Sequence, residues 1–140
     1  MILGCYAFQN DVLIGYKIGF EKEQFSFESW RGGIIKHMRR KGIAIELMRL
    51  QHTWCRKNHF QVITTMANAD NIPMLTLNYQ HGFKVIGKFQ NHRHILKVHL
   101  QKKCLRHLRL HYFRSFKPIL KRCSGNKTSK NSVFLIADAQ

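Results

Sequence analysis

Proline, cysteine and acidic residues are all scarce in this chain. Two prolines, and no abundance of glycine or serine, exclude a globally disordered polypeptide. The four cysteines, Cys5, Cys55, Cys104 and Cys123, are far apart and form no C-x-x-C pair, which excludes a disulfide framework or a zinc knuckle. No apolar run approaches the 18 residues of a membrane-spanning helix. The opening MILGCYAF has neither the basic start nor the small-residue cleavage site of a secretory signal. These absences predict a soluble, cytoplasmic protein with reduced, mostly buried thiols. The shortage of acid is the most lopsided feature. Seven Asp and Glu face 24 Lys and Arg, a formal charge of +17 on 140 residues. Such an excess points to polyanionic partners or phosphorylated ligands.

What is present is a core and a pattern. Hydrophobic residues make up 44% of the chain, enough for one domain with an appendage. The charge is uneven: Lys102 to Lys130 holds ten basic residues and no acid. This divides the chain into a domain over 1–101 and a basic extension over 102–140. Ile2–Phe8 and Val12–Phe20 are β-prone runs around a Gln9-Asn10-Asp11 turn. Phe25 to His37 reads as a third strand, with Gly32-Gly33 marking a bulge or a close backbone approach. From Gly42 the period lengthens, and Ile43, Leu47, Leu50 and Trp54 predict an amphipathic helix to about Asn58. Gln61–Met66 is a short strand. Asp70 or Asn71 caps a second helix, with Pro73 in its first turn and Gly82 past its end. Phe83–Phe89 and His94–Leu100 complete the pattern. The strands flanking the long helix should be parallel and the rest antiparallel, giving a mixed α/β domain with a central, mainly antiparallel sheet. Trp30 and Trp54 read as core residues. In the extension, Lys102 to Cys123 is a basic amphipathic stretch that Pro118 kinks or ends, Ser124 to Ser132 is a polar linker, and VFLIA is either a strand or a loose end.

One segment carries chemistry. Arg39-Arg40-Lys41-Gly42-Ile43-Ala44 joins a strand to a helix N-terminus. The first amides of a helix have no internal partners and sit at the positive end of its dipole. Small residues let a ligand approach the backbone, and the basic side chains add charge-assisted contacts. A pyrophosphate suits such a loop. His92 and His94, two apart, and Cys104, His107 and His111 at helical spacing are the only sets that suggest a metal. Without a carboxylate or a second shell they are read as structural, and no metal is expected.

The same segment resembles the coenzyme motif of the GNAT superfamily of N-acetyltransferases, Arg/Gln-x-x-Gly-x-Gly/Ala, which Arg39, Gly42 and Ala44 match in order. The preceding WRGGII and the later ADNIPMLTLNYQHGFKVIG resemble two further motifs, and the likeness runs from about Ile14 to Leu100. The resemblance implies a sheet splayed between the strand ending near Ile35 and the strand from Gln61, with acetyl-coenzyme A in the gap. Backbone groups at Ile34 and Ile35 would meet the pantetheine arm, as would Asn71. Amides from Arg40 through Lys41, Gly42 and Ile43 to Ala44 would hold the pyrophosphate. An amine on a small molecule or peptide would be the acceptor. Glu28 is the candidate general base. The family's proton-donating Tyr falls at Asn78 here, with Tyr79 beside it. The family fold also begins with a strand and one or two helices ahead of the hairpin. Here the hairpin starts at Ile2, which reads as an N-terminal truncation. That predicts an exposed edge at Ile2–Phe8, open to a second copy or another partner. The alternatives are a coenzyme-binding domain without turnover, and a nucleic-acid or membrane module driven by the basic extension.

Overall fold

The computed structural model describes residues 1–104, 121–122 and 133–139. Among the described residues eight strands form one mixed sheet: β1 (Ile2–Gln9), β2 (Val12–Glu23), β3 (Ser26–Ile34), β4 (Val62–Asn68), β5 (Lys84–Gln90), β6 (Leu96–Lys103), β7 (Lys121–Arg122) and β8 (Val133–Ala139). Helix α1 spans Ile43–Lys57 and α2 spans Ile72–Gln80. A single 3-10 turn, Lys36–Met38, follows β3. The strand order is β5-β6-β4-β3-β2-β1-β8-β7, and β3·β4 is parallel beside antiparallel neighbours. No helix among the described residues is long and apolar enough to cross a membrane.

Local chemistry accounts for these elements. Asn10 and Asp11 both take left-handed backbone angles, which is what a two-residue hairpin turn requires. Asn71 caps α2 by accepting a bond from the Met74 amide at 3.3 Å, and Pro73 sits in the first turn. The crossovers from β3 to β4 and from β4 over β6 to β5 run the same way across the sheet. Right-handed connections therefore place both helices on one face. The His52 ring of α1 accordingly lies 5.5 Å from that of Phe83, just past α2.

Between that face and α1 sits the core. Phe27 is fully buried and packs its ring against Trp54 and Phe60 at 5.7 and 5.3 Å. Gly19 makes room for it: a Cβ there would fall 2.3 Å from the Phe27 ring. No helix among the described residues covers the opposite face, where Glu28 pairs in register with Phe20 and Phe20 meets Trp30 edge-on.

Three expectations are corrected. Trp30 is 52% exposed rather than core. Between Ile18↔Arg31 and Gly19↔Ser29 the register slips by one, which makes Trp30 the extra residue of a bulge. The bulge therefore lies at Trp30, while Gly32 and Gly33 mark close approach to Tyr16. Trp30 and Arg31 end on the same face, with the guanidinium 4.6 Å over the ring. Next, β1 is no edge. The VFLIA run belongs to β8, which pairs antiparallel along β1 from Leu3↔Ala139 to Gln9↔Val133. The row of N–H and C=O groups that would invite a partner is already paired. Finally, His92 and His94 lie in the turn between β5 and β6 and not on a shared strand face. Cys5 and Cys55 are buried free thiols and Cys104 is half-buried. His107, His111, Cys123 and the polar linker lie outside the described residues, as does most of the amphipathic stretch, of which only 102–104 and the short strand Lys121–Arg122 are described.

Candidate functional site

The site begins where two strands part. β3 and β4 are paired only at Ser26↔Val62, Phe27↔Ile63 and Glu28↔Thr64. Beyond that rung β3 stays with β2 as far as Gly15↔Ile34, and β4 stays with β6 as far as Asn68↔Lys97. The Trp30 bulge adds local twist where the strands diverge. At the first open position the Thr65 hydroxyl donates to the Ser29 carbonyl at 2.8 Å, so a side chain replaces the missing ladder bond. The result is a V-shaped notch in the sheet.

A cavity of about 820 Å³ occupies the notch. Its walls are Gly32, Gly33 and Ile34 of β3, the first turns of α1, and α2 from its Asn71 cap onward. Tyr16 and Lys17 of β2 also reach it. At its mouth the backbone from Arg40 to Ala44 turns into α1. Gly42 has φ 79° and Arg40 φ 63°, both left-handed. Their turn aims the chain into α1, whose first internal bonds go from the Ile45 and Glu46 amides to the Gly42 carbonyl. Among the described residues, the amides of Arg40, Lys41, Gly42, Ile43 and Ala44 donate to no carbonyl. A Cβ on Gly42 would meet nothing within 4 Å, so open space lies beside the loop at Gly42. Free amides, the helix dipole and adjacent Arg39 and Arg40 together fit a pyrophosphate.

Of the residues expected at the coenzyme site, Ile34, Arg39, Arg40, Gly42, Ile43, Ala44 and Asn71 line the cavity. Ile35 and Lys41 do not. The Ile35 amide bonds to the Ile14 carbonyl at 3.0 Å, and its side chain borders a smaller depression beside Leu13 and Ile14. The Lys41 ammonium turns back toward the Met38 sulfur at 3.5 Å. Arg39 Nε donates to the Ile34 carbonyl at 3.1 Å, bracing the end of β3 against the loop.

The three catalytic candidates lie outside the cavity lining. Tyr79 is 50% exposed, because one step along α2 turns it about 100° from Asn78. Asn78 is buried, and its carbonyl accepts from the His81 and Phe83 amides at the helix end. Glu28 is 3% exposed and sits at the root of the notch, on the face away from α1. Its Oε2 accepts from the Thr64 hydroxyl at 2.6 Å and lies 3.9 Å from Lys22 Nζ. The carboxylate is thus buried and held between Thr64 and Lys22.

Tyr16 and Lys17 are among the lining residues missed from the sequence. The signal was available: Gly15, Lys17 and Gly19 alternate along one face of β2, and Lys17 is the only charge from Val12 to Phe20. Its register partner is buried Cys5. Burial pushes the Lys17 ammonium down to about 8, against a small opposing pull from Cys5 and Cys55. Burial likewise pushes His52 down to about 3, helped by Lys102, Lys17, His81 and Arg56 nearby. Among the described residues no group of three His, Cys, Asp or Glu is placed to hold a metal.

No family model matches the sequence, and no curated protein matches it. Solved structures do match. Ard1 from Thermoplasma volcanium aligns with a TM-score of 0.66 at 14% identity, over 69% of this chain and 67% of that one. The PaiA N-acetyltransferase from Thermoplasma acidophilum, solved in complex with coenzyme A, aligns at 0.62 and 20% identity, over 73% and 60%. The ribosomal-protein-S18-alanine N-acetyltransferase from Escherichia coli aligns at 0.62 and 12% identity, over 77% and 75%. The fold of this chain is that of the GNAT acetyltransferases.

Proposed function

We propose that this GNAT-fold chain binds an acyl-coenzyme A, acetyl-coenzyme A in the first instance, and transfers the acyl group to an amine on a small molecule or peptide. The observation that carries this is the row of five free amides from Arg40 to Ala44 at the mouth of the notch cavity. A bound thioester supplies an activated carbonyl. The chain supplies position: amides and Arg40 hold the pyrophosphate, and the bare edge of β3 at Gly32 to Ile34 lies along the pantetheine arm. Asn71 borders the same cavity from the α2 side.

The acceptor amine would approach from the face opposite the helices. Tyr16 and Gly33 pair on that face and still line the cavity, so the notch is reachable from there. Glu28 stands on the same face at the last β3·β4 rung, outside the cavity lining, and is the candidate to take the amine's proton, directly or through water. Asn78 and Tyr79 stay secondary candidates for protonating the departing thiolate, since neither borders the cavity.

Calorimetry on wild type and Gly42→Glu tests the reading. Glutamate would place like charge beside the free-amide loop and strain a backbone at φ 79°. Wild type should bind acetyl-coenzyme A, and the variant should keep its sheet by circular dichroism while losing binding. Equal binding by the two proteins would place the coenzyme elsewhere.

A further inference from the structure

Lys17 has no task in the mechanism above, yet its setting is unusual. It is half-buried beneath α1, in the middle of β2, and it lines the coenzyme cavity. Its partner across the sheet on β3 is Gly32. A Cβ added to Gly32 would lie 3.6 Å from Lys17 Cγ, so the lysine stem runs beside a position with no side chain to screen it from the notch. The groups that share an electrostatic field with its ammonium are Cys5 on β1 and Cys55 and His52 on α1. Cys55 is about 18 Å along α1 from Ile43, at 1.5 Å per residue. On α1 both Cys55 and His52 lie toward the end opposite the proposed phosphate cradle, while Lys17 itself lines the cavity. No carboxylate lines the cavity, and Lys17 has no ion pair or hydrogen bond among the described residues.

We propose that Lys17 is a self-acylation site, an amine on the cavity wall that takes the acyl group from a coenzyme A thioester bound in the notch. This rests on the coenzyme reading above. The neutral Nζ attacks the thioester carbonyl carbon. A C–N bond forms and the C–S bond breaks. Coenzyme A leaves as thiolate and receives the proton that the nitrogen loses. No oxidant, reductant or further reactant is needed. Three features favour the step. The cavity holds donor and amine together, the missing carboxylate leaves nothing to keep the nitrogen charged, and burial brings the neutral amine within reach of ordinary pH. The product is an uncharged amide in a half-buried place, so it also relieves part of the cost of an unpaired charge there. Because the amide does not turn over, acylation would narrow the cavity and limit later coenzyme binding.

The full chain with acetyl-coenzyme A, at a series of pH values, tests this by peptide mass spectrometry. One acetyl group should appear on Lys17 at least about tenfold faster than on surface lysines, whose neutral fraction is far smaller. The rate should level off above about pH 8. Excess coenzyme A should protect Lys17 and leave surface lysines unaffected. Lys17→Arg, checked for fold by circular dichroism, should lack that adduct. Carbon-13 lysine spectra taken without coenzyme should show Lys17 titrating near pH 8, ahead of the other lysines. If calorimetry shows coenzyme binding while Lys17 stays unmodified, or reacts no faster than surface lysines, the self-acylation proposal fails alone. If no coenzyme binds, the reading beneath it fails instead.

Discussion

The first three residues of β3 and its last three have different neighbours, and the difference separates stability from binding. Ser26–Glu28 are held on both sides, by β2 and by β4, and Phe27 is fully buried against Trp54 and Phe60. Gly32–Ile34 are held by β2 alone, and their other edge faces the cavity. The closed half should carry the fold, and the open half, with the loop that follows, should carry the ligand. Substitutions can be sorted by which of the two they disturb.

The largest effect is expected in the closed half. Phe27→Ala should cost about 3–5 kcal/mol of stability, the range for truncating a buried aromatic ring. Urea denaturation measures it, and any loss of coenzyme binding should follow the loss of fold. In the open half, Arg40→Ala should cost about 1–3 kcal/mol of coenzyme affinity, as one charge-assisted contact to phosphate does. Arg40 is exposed and makes no ion pair among the described residues, so its melting temperature should stay close to wild type.

His52 sharpens the comparison from the core side. Its folded value near 3 lies below the ordinary 6.5, so between those limits the unfolded chain binds the extra proton. The stabilising contribution is complete above about pH 6.5 and is lost as pH falls toward 3. The slope from this one group is at most about 1.4 kcal/mol per pH unit. His52→Phe keeps a ring beside Phe83 and should flatten that acid limb in denaturation curves taken across the window. Smallest is Asn71→Ala, which removes the bond to the Met74 amide. About 1 kcal/mol of stability should go with the cap. Because Asn71 also borders the cavity, calorimetry should show a parallel weakening of coenzyme binding.

Much of this was legible in the sequence where the cause is local. The Asn10-Asp11 turn, the α1 periodicity and the Asn71 cap each depend on residues a few positions apart. The free-amide loop proposed as the phosphate site was legible for the same reason, since Gly42 and its flanking basic residues are contiguous. What escaped depends on distant parts of the chain. Trp30 looks like core until the slip against β2 turns it to the open face, and a bulge has no strong mark in one strand alone. The pairing of β8 with β1 joins residues more than a hundred positions apart, so no local pattern announces it. Lys17 stood out in its strand, but that it lines the cavity follows only once Gly32 is laid beside it and α1 above it.

The five amides from Arg40 to Ala44, which donate to no carbonyl among the described residues, are the proposed anion cradle of the coenzyme site. Amide hydrogen exchange with and without coenzyme A tests this assignment most directly, because it reads those N–H groups themselves. Exchange from Arg40 to Ala44 should slow on adding coenzyme, with Ser26–Glu28 unchanged. Binding that leaves the Arg40–Ala44 amides exchanging at their free rate would contradict it.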